Sequence, residues 1–168
     1  MALLAPDPHE GNTNDMNTGT LLDIAIKSAP RQPMRTLTET TVSETNGLAG
    51  DSRGTVGHRQ VTLVDRDAWE RACNDVGTTL PWTVRRANLL LEGVALQETA
   101  GRTLRVGDVL LEVTGETLPC ARMDEAHAGL KEALAPEWRG GVTARVVAGG
   151  TLRLGDEASW VEAGDAAG

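Results

Sequence analysis

The sequence predicts a mainly β domain with a few short helices, and three observations carry that prediction. Apolar and polar residues alternate at period two along several segments, the signature of strands with one buried and one wetter face. A six-residue phrase recurs, Thr103-Leu-Arg-Val-Gly-Asp108 returning as Thr151-Leu-Arg-Leu-Gly-Asp156. Only two stretches carry the helical period.

Taken in order, residues 1–19 are rich in Pro, Asn, Asp and Gly without periodicity and read as a disordered tail. The domain itself spans 20–161, and 162–168 read as a flexible C-terminal tail. Leu22, Ile24 and Ile26 alternate in the opening strand, then Val61 and Leu63, then Val109, Leu111 and Val113, then Val142, Ala144 and Val146. Asp65 to Val76 is a helix with Ala68, Trp69, Ala72, Cys73 and Val76 on one face and Gly77 as its stop. Met123 to Leu134 is a second, with Met123, Ala126, Leu130 and Leu134 aligned ahead of Pro136. Each copy of the repeated phrase ends in Gly-Asp, a pair suited to a turn. The first runs straight into a Val- and Leu-rich segment, so a hairpin is expected there. Together the copies read as equivalent corners of one sheet or barrel.

A chain of 168 residues suits one domain, burying roughly 70% of its unfolded surface. Its formal charge of −8 argues against general nucleic-acid binding, which needs a basic footprint. No apolar run approaches the roughly 20 residues that span a bilayer. The first ten residues put no basic residue ahead of their short apolar patch, unlike a secretory signal. Two cysteines, Cys73 and Cys120, make no disulfide framework, and a reducing cytoplasm is the expected setting. Of the sixteen basic residues only Lys27 and Lys131 are lysines, leaving fourteen arginines. Arginine forms planar bidentate contacts with phosphate and carboxylate.

Cys120 is the candidate reactive group. It follows Pro119, precedes the second helix and has Arg122 two residues away, so a helix N-terminus and a cation both favour its thiolate. A half-buried structural cysteine is the plainer alternative. Cys73, on the apolar face of a helix, reads as inert core. Gly47 to Arg59 packs four glycines into a loop whose amides can approach an anion, and Asp51, Arg53, His58 and Arg59 are its candidate pocket residues. It lacks the spacing of a P-loop. Arg85-Arg86-Ala-Asn88 precedes Leu89-Leu-Leu91; adjacent arginines are usually surface residues. No spacing suggests a zinc site, and none is expected. Asp51, His58 and Cys120 can also be drawn as a hydrolase triad, which only geometry defines.

These segments resemble, in order, the MOSC domain, named for the C-terminal part of molybdenum cofactor sulfurases. The matching pieces are Asp23-Ile-Ala-Ile-Lys27, Gly47-Leu-Ala-Gly-Asp51 with His58, Arg86-Ala-Asn88 with Leu-Leu-Leu-Glu-Gly93, Leu104-Arg-Val-Gly-Asp108, Pro119-Cys120-Ala-Arg-Met123, and Gly140-Gly-Val-Thr-Ala-Arg-Val146. The resemblance implies a mixed β-barrel. It implies that Cys120 is the sulfur or molybdenum ligand, and that Asp51, Arg53, His58, Arg59, Arg86, Asn88 and Arg122 surround an anionic pterin, the molybdenum cofactor. It further implies sulfur transfer or molybdenum-dependent reduction of N-hydroxylated compounds, with a sulfur donor or a reductase as partner. Larger relatives carry a pyridoxal-phosphate desulfurase domain. This chain leaves no room for one, neither Lys27 nor Lys131 has a fitting context, and pyridoxal phosphate is not expected. His58 stands between Gly57 and Arg59 where bacterial members often show His-His-Gly, and Gly115-Glu-Thr-Leu118 lacks an arginine often found there; both departures touch the reductase activity more than the fold. A cysteine-dependent hydrolase and a non-catalytic regulatory barrel are the competing functions.

Overall fold

The structure is a computed structural model that describes residues 18–162; the rest of both predicted tails lies outside the described residues. Among the described residues eleven strands are present: β1 (Thr18–Ile26), β2 (Arg35–Leu37), β3 (Glu39–Ser43), β4 (Gly47–Leu48), β5 (Val61–Asp65), β6 (Leu89–Glu92), β7 (Thr103–Val106), β8 (Val109–Glu116), β9 (Val142–Ala148), β10 (Gly150–Arg153) and β11 (Glu157–Trp160). Seven close a barrel in the order β11-β7-β8-β9-β5-β6-β1, with β1 returning to β11 and β2 as a flap on β1. β5 and β6 run parallel while the neighbours around them are antiparallel, so the barrel is mixed. A parallel pair needs a crossover connection, and the first helix, α1 (Arg66–Asp75), lies in it. A smaller sheet, β10-β3-β4, stands beside the barrel.

Period-two alternation fills two separate cores. Val61, Leu63, Leu89, Leu91, Val109, Leu111, Val113, Val142, Ala144 and Val146 point into the barrel. Val64 and Leu90, between them in sequence, face the other way and meet Trp69, Ala72, Cys73, Leu130 and Leu134 of the helical layer. The opening strand departs from the expected Leu22-Ile24-Ile26 rhythm. A register shift between Leu21 and Asp23 puts Leu21 into the barrel with Ile24 and Ile26, and leaves Leu22 on the helical side. β1 also begins inside the predicted tail, because Thr18 and Gly19 pair with Ser159 and Ala158.

α1 starts where its cap demands: the Asp65 carboxylate accepts the Ala68 N–H at 3.0 Å. The second predicted helix is instead two, α2 (Ala121–Ala126) and α3 (Leu130–Leu134). Gly129 breaks it at φ +87°, and Asp124 accepts the Lys131 N–H at 3.0 Å. Met123, Leu130 and Leu134 are buried as expected, but the break turns Ala126 out to solvent. The first Gly-Asp corner is the β7–β8 hairpin. The second is not its equivalent: β10 belongs to the small sheet and β11 to the barrel, so Gly155-Asp156 marks a crossing between sheets. The two corners touch, since the Gly107 N–H donates to Glu157 O at 3.0 Å.

Candidate functional site

The site forms at the barrel end where β1 finishes, β5 begins and the helical layer stops. The glycine-rich loop is tied there by two side chains. Asp51, its side chain almost fully buried, accepts the Lys27 N–H at 3.0 Å, while the Ser52 N–H donates to Lys27 O at 2.8 Å. Gln60 donates to Glu44 O and Gly54 O and accepts the Val146 N–H at 2.9 Å. The loop is therefore held from inside the barrel.

On the facing side Trp82 donates to Asp23 at 2.7 Å and fixes a 3-10 turn over Trp82–Arg85. Arg85 is 9% exposed, which makes it a buried cation rather than the surface residue its neighbour suggested. It donates to Gly140 O at 2.8 Å and Thr117 O at 3.0 Å, so it ties the turn to the segment leading to Cys120. Arg86 closes the turn in the left-handed region at φ +65°. Its carbonyl accepts Arg53 Nη1 at 2.8 Å, joining loop to turn. Asn88 accepts the Thr62 N–H and donates to Ala25 O at 3.1 Å, which knits β1, β5 and β6.

Between these elements lies a cleft of about 270 Å³ lined by Lys27, Arg53, Arg59, Arg85, Arg86 and Arg122, with the exposed thiol of Cys120 among them. Six cations and no carboxylate line it, in a chain whose net charge is −8. Cys120 is the N-cap residue of α2, a helix of only six residues. The cations around the thiol are therefore its main electrostatic setting. Burial pulls Arg85 below the ordinary arginine range, against the opposing pull of Cys120. Burial does the same to Arg53, against Asp51. Arg86 Nη2 and Arg53 Nε are buried with no hydrogen-bond partner.

The structure thus brings Cys120, Arg53, Arg59, Arg86 and Arg122 to one cleft. His58 and Asn88 line an adjoining one of about 480 Å³ that shares Arg53 and Arg59. Asp51 lines neither; its Oδ1 accepts the Lys27 N–H and its Oδ2 is buried without a hydrogen-bond partner. The triad arrangement of Asp51, His58 and Cys120 is therefore not assembled. Among the described residues no three His, Cys, Asp or Glu side chains group as metal ligands, and no helix is long and apolar enough to cross a membrane. Sequence reasoning left out Lys27 and Arg85; the position of Lys27 directly after the opening strand was the available signal.

A closed mixed barrel with a thiol in an arginine-rich cleft at its rim defines the class of protein. The MOSC domain model matches residues 24–159. The chain belongs to the MOSC domain family. Solved structures similar to it include the YuaD protein of Bacillus subtilis, 18% identical with a TM-score of 0.70 over 84% of this chain and 94% of that one. YiiM of Geobacillus stearothermophilus is 15% identical, TM-score 0.68, over 86% and 75%. YiiM of Escherichia coli is 16% identical, TM-score 0.64, over 85% and 70%. At such identities the likeness concerns the fold. No curated protein matches the sequence.

Proposed function

We propose that the cleft binds the molybdenum cofactor, with Cys120 as the sulfur ligand of the metal and the surrounding cations holding the pterin phosphate. One observation carries this reading: an exposed thiol stands among six cations, two of which keep buried guanidinium N–H groups unbonded. Arg86 and Arg53 line the cleft with guanidinium groups, whose planar N–H forks favour an anionic acceptor that fills it. A dianionic phosphate is such an acceptor and suits guanidinium forks. A soft thiolate suits molybdenum better than the carboxylates that the lining lacks. The two adjoining clefts together match the size of a cofactor-sized ligand. When bound, the metal supplies two-electron redox chemistry. The chain's own residues bind, orient and neutralise: Arg86 and Arg53 at the anion, Arg85 on the backbone that presents Cys120.

The thiol's exposure also favours a second reading, in which Cys120 carries sulfur as a persulfide to a partner protein. Metal and pterin analysis of protein purified from a host that makes the cofactor tests the first. Molybdenum and pterin near one per chain are expected, with both lost in Cys120→Ser. A metal-free protein whose Cys120 peptide gains the mass of one sulfur atom overturns cofactor binding in favour of sulfur carriage.

A further inference from the structure

Lysine is rare in this chain, and one of its two lysines stands in the cleft. Five of the six lining cations are arginines and the sixth is Lys27. Anion recognition does not require that exception, because the guanidinium fork fits phosphate and carboxylate at least as well. An amine, unlike a guanidinium, can lose its proton and attack an electrophile.

The surroundings favour that loss. Burial first, then the charges of Arg86, Arg53 and Arg122, push the Lys27 amine below the ordinary lysine range, and Asp51 is the carboxylate pulling the other way. Asp51 Oδ1 accepts the Lys27 backbone N–H at 3.0 Å and lies 3.8 Å from Arg53 Nη2. Lys27 takes part in none of the ion pairs found among the described residues. Its backbone is fixed on both sides, the carbonyl accepting the Ser52 N–H at 2.8 Å. A rigid strand end thus presents an amine into a cationic, acid-free cleft.

We propose that Lys27 is a second reactive group of this cleft, an amine nucleophile that condenses with the carbonyl of a small anionic aldehyde or 2-oxo acid held by the neighbouring arginines. The nitrogen lone pair bonds to the carbonyl carbon, and a proton passes from nitrogen to the carbonyl oxygen. The resulting carbinolamine then expels water to leave an imine. Hydrolysis reverses the sequence, and no oxidant or reductant is consumed. The step uses neither Cys120 nor molybdenum, so it stands or falls apart from the cofactor reading.

The test treats the full chain at neutral pH with glyoxylate and cyanoborohydride, which reduces any imine to a stable carboxymethyl amine. Peptide mapping then compares Lys27 with Lys131, which is exposed on the surface. Lys27 is expected to react severalfold faster, to be slowed by inorganic phosphate, and to lose its advantage in urea. The advantage should shrink with propionaldehyde, which has no charge, and with Arg86→Gln. Equal rates for the two lysines in folded protein overturn the proposal, as does a Lys27 rate indifferent to phosphate. Fast Lys27 labelling in a protein that takes up no molybdopterin sinks the cofactor reading alone. Cofactor uptake with equal lysine rates sinks the amine alone.

Discussion

Arg85 and Arg86 are adjacent in sequence and do opposite work. Arg85 spends its guanidinium on two buried carbonyls, whereas Arg86 keeps Nη2 free of partners at the cleft. Arg85→Ala is expected to destabilise the protein by about 2–4 kcal/mol, the cost of orphaning two buried acceptors and losing packing. Arg86→Ala is expected to leave denaturant midpoints nearly unchanged and to weaken pterin binding by about 1.5–3 kcal/mol, the range for a hydrogen bond to a charged group. Reversed outcomes would exchange the two roles. The cysteines divide in the same way. Cys120 is exposed and Cys73 buried, so iodoacetamide should alkylate Cys120 much faster in the folded protein. Burial pushes the Cys73 thiol above its ordinary range. The fold thus prefers the neutral thiol, a contribution fully present below the ordinary thiol pKa of about 8.5 and lost as pH rises through the folded value. Cys73→Ser should cost about 1–3 kcal/mol at pH 7, and its deficit against the parent should narrow in alkaline buffer. A deficit constant with pH would mean that Cys73 does not titrate differently on unfolding.

At the scale of elements, two departures from the apolar pattern place the site. The register shift in β1 resets its phase, so that Ile24 and Ile26 enter the barrel while Ala25 and Leu22 support the helical layer. Lys27 then emerges at the rim. The break between α2 and α3 lets Met123 and Leu130 both reach that layer from segments of different direction. Gly129 makes the break, and a Cβ built there would stand 3.3 Å from Val76 Cγ1. Gly129→Ala should therefore cost about 1–2 kcal/mol, the strain of a left-handed alanine, readable as a lower urea midpoint. No loss would mean that the segment can continue as one helix.

For the whole molecule, closure rests on the first three described residues. Thr18, Gly19 and Thr20 pair with Ser159, Ala158 and Glu157, joining the two ends of the barrel sheet. Deleting residues 1–17 leaves that pairing intact and should change the melting temperature by less than about 5 °C, on the order of 1 kcal/mol for a domain this size. Deleting residues 1–20 opens the seam and should lower it well beyond that. Equal effects of the two deletions would show that closure adds little. The charge distribution is also a property of the whole. A chain of net charge −8 gathers six cations at one rim, so anion binding there acts within about one Debye length, roughly 8–10 Å, and should weaken as salt rises.

The sequence by itself determined the class of fold, the apolar faces of β5, β8 and β9, the first helix with its apolar face, and the separation of a core cysteine from an exposed one. These are local properties: period, capping and turn chemistry act over a few neighbouring residues. It did not reveal β2, which is mostly exposed, or β3, which buries only Thr40 and Val42; their pairing partners β1 and β10 are set by register. Tertiary structure alone decided which polar residues are free. Asp51 Oδ1 and the Asn88 amide look like ligands in the chain and are engaged by Lys27, Thr62 and Ala25, residues 24, 26 and 63 positions away. Arg85 looks like surface and is buried by Gly140 and Thr117, 55 and 32 positions away. A side chain's availability depends on whether a distant backbone group has already claimed its hydrogen bonds, and only the closed barrel brings those groups within reach.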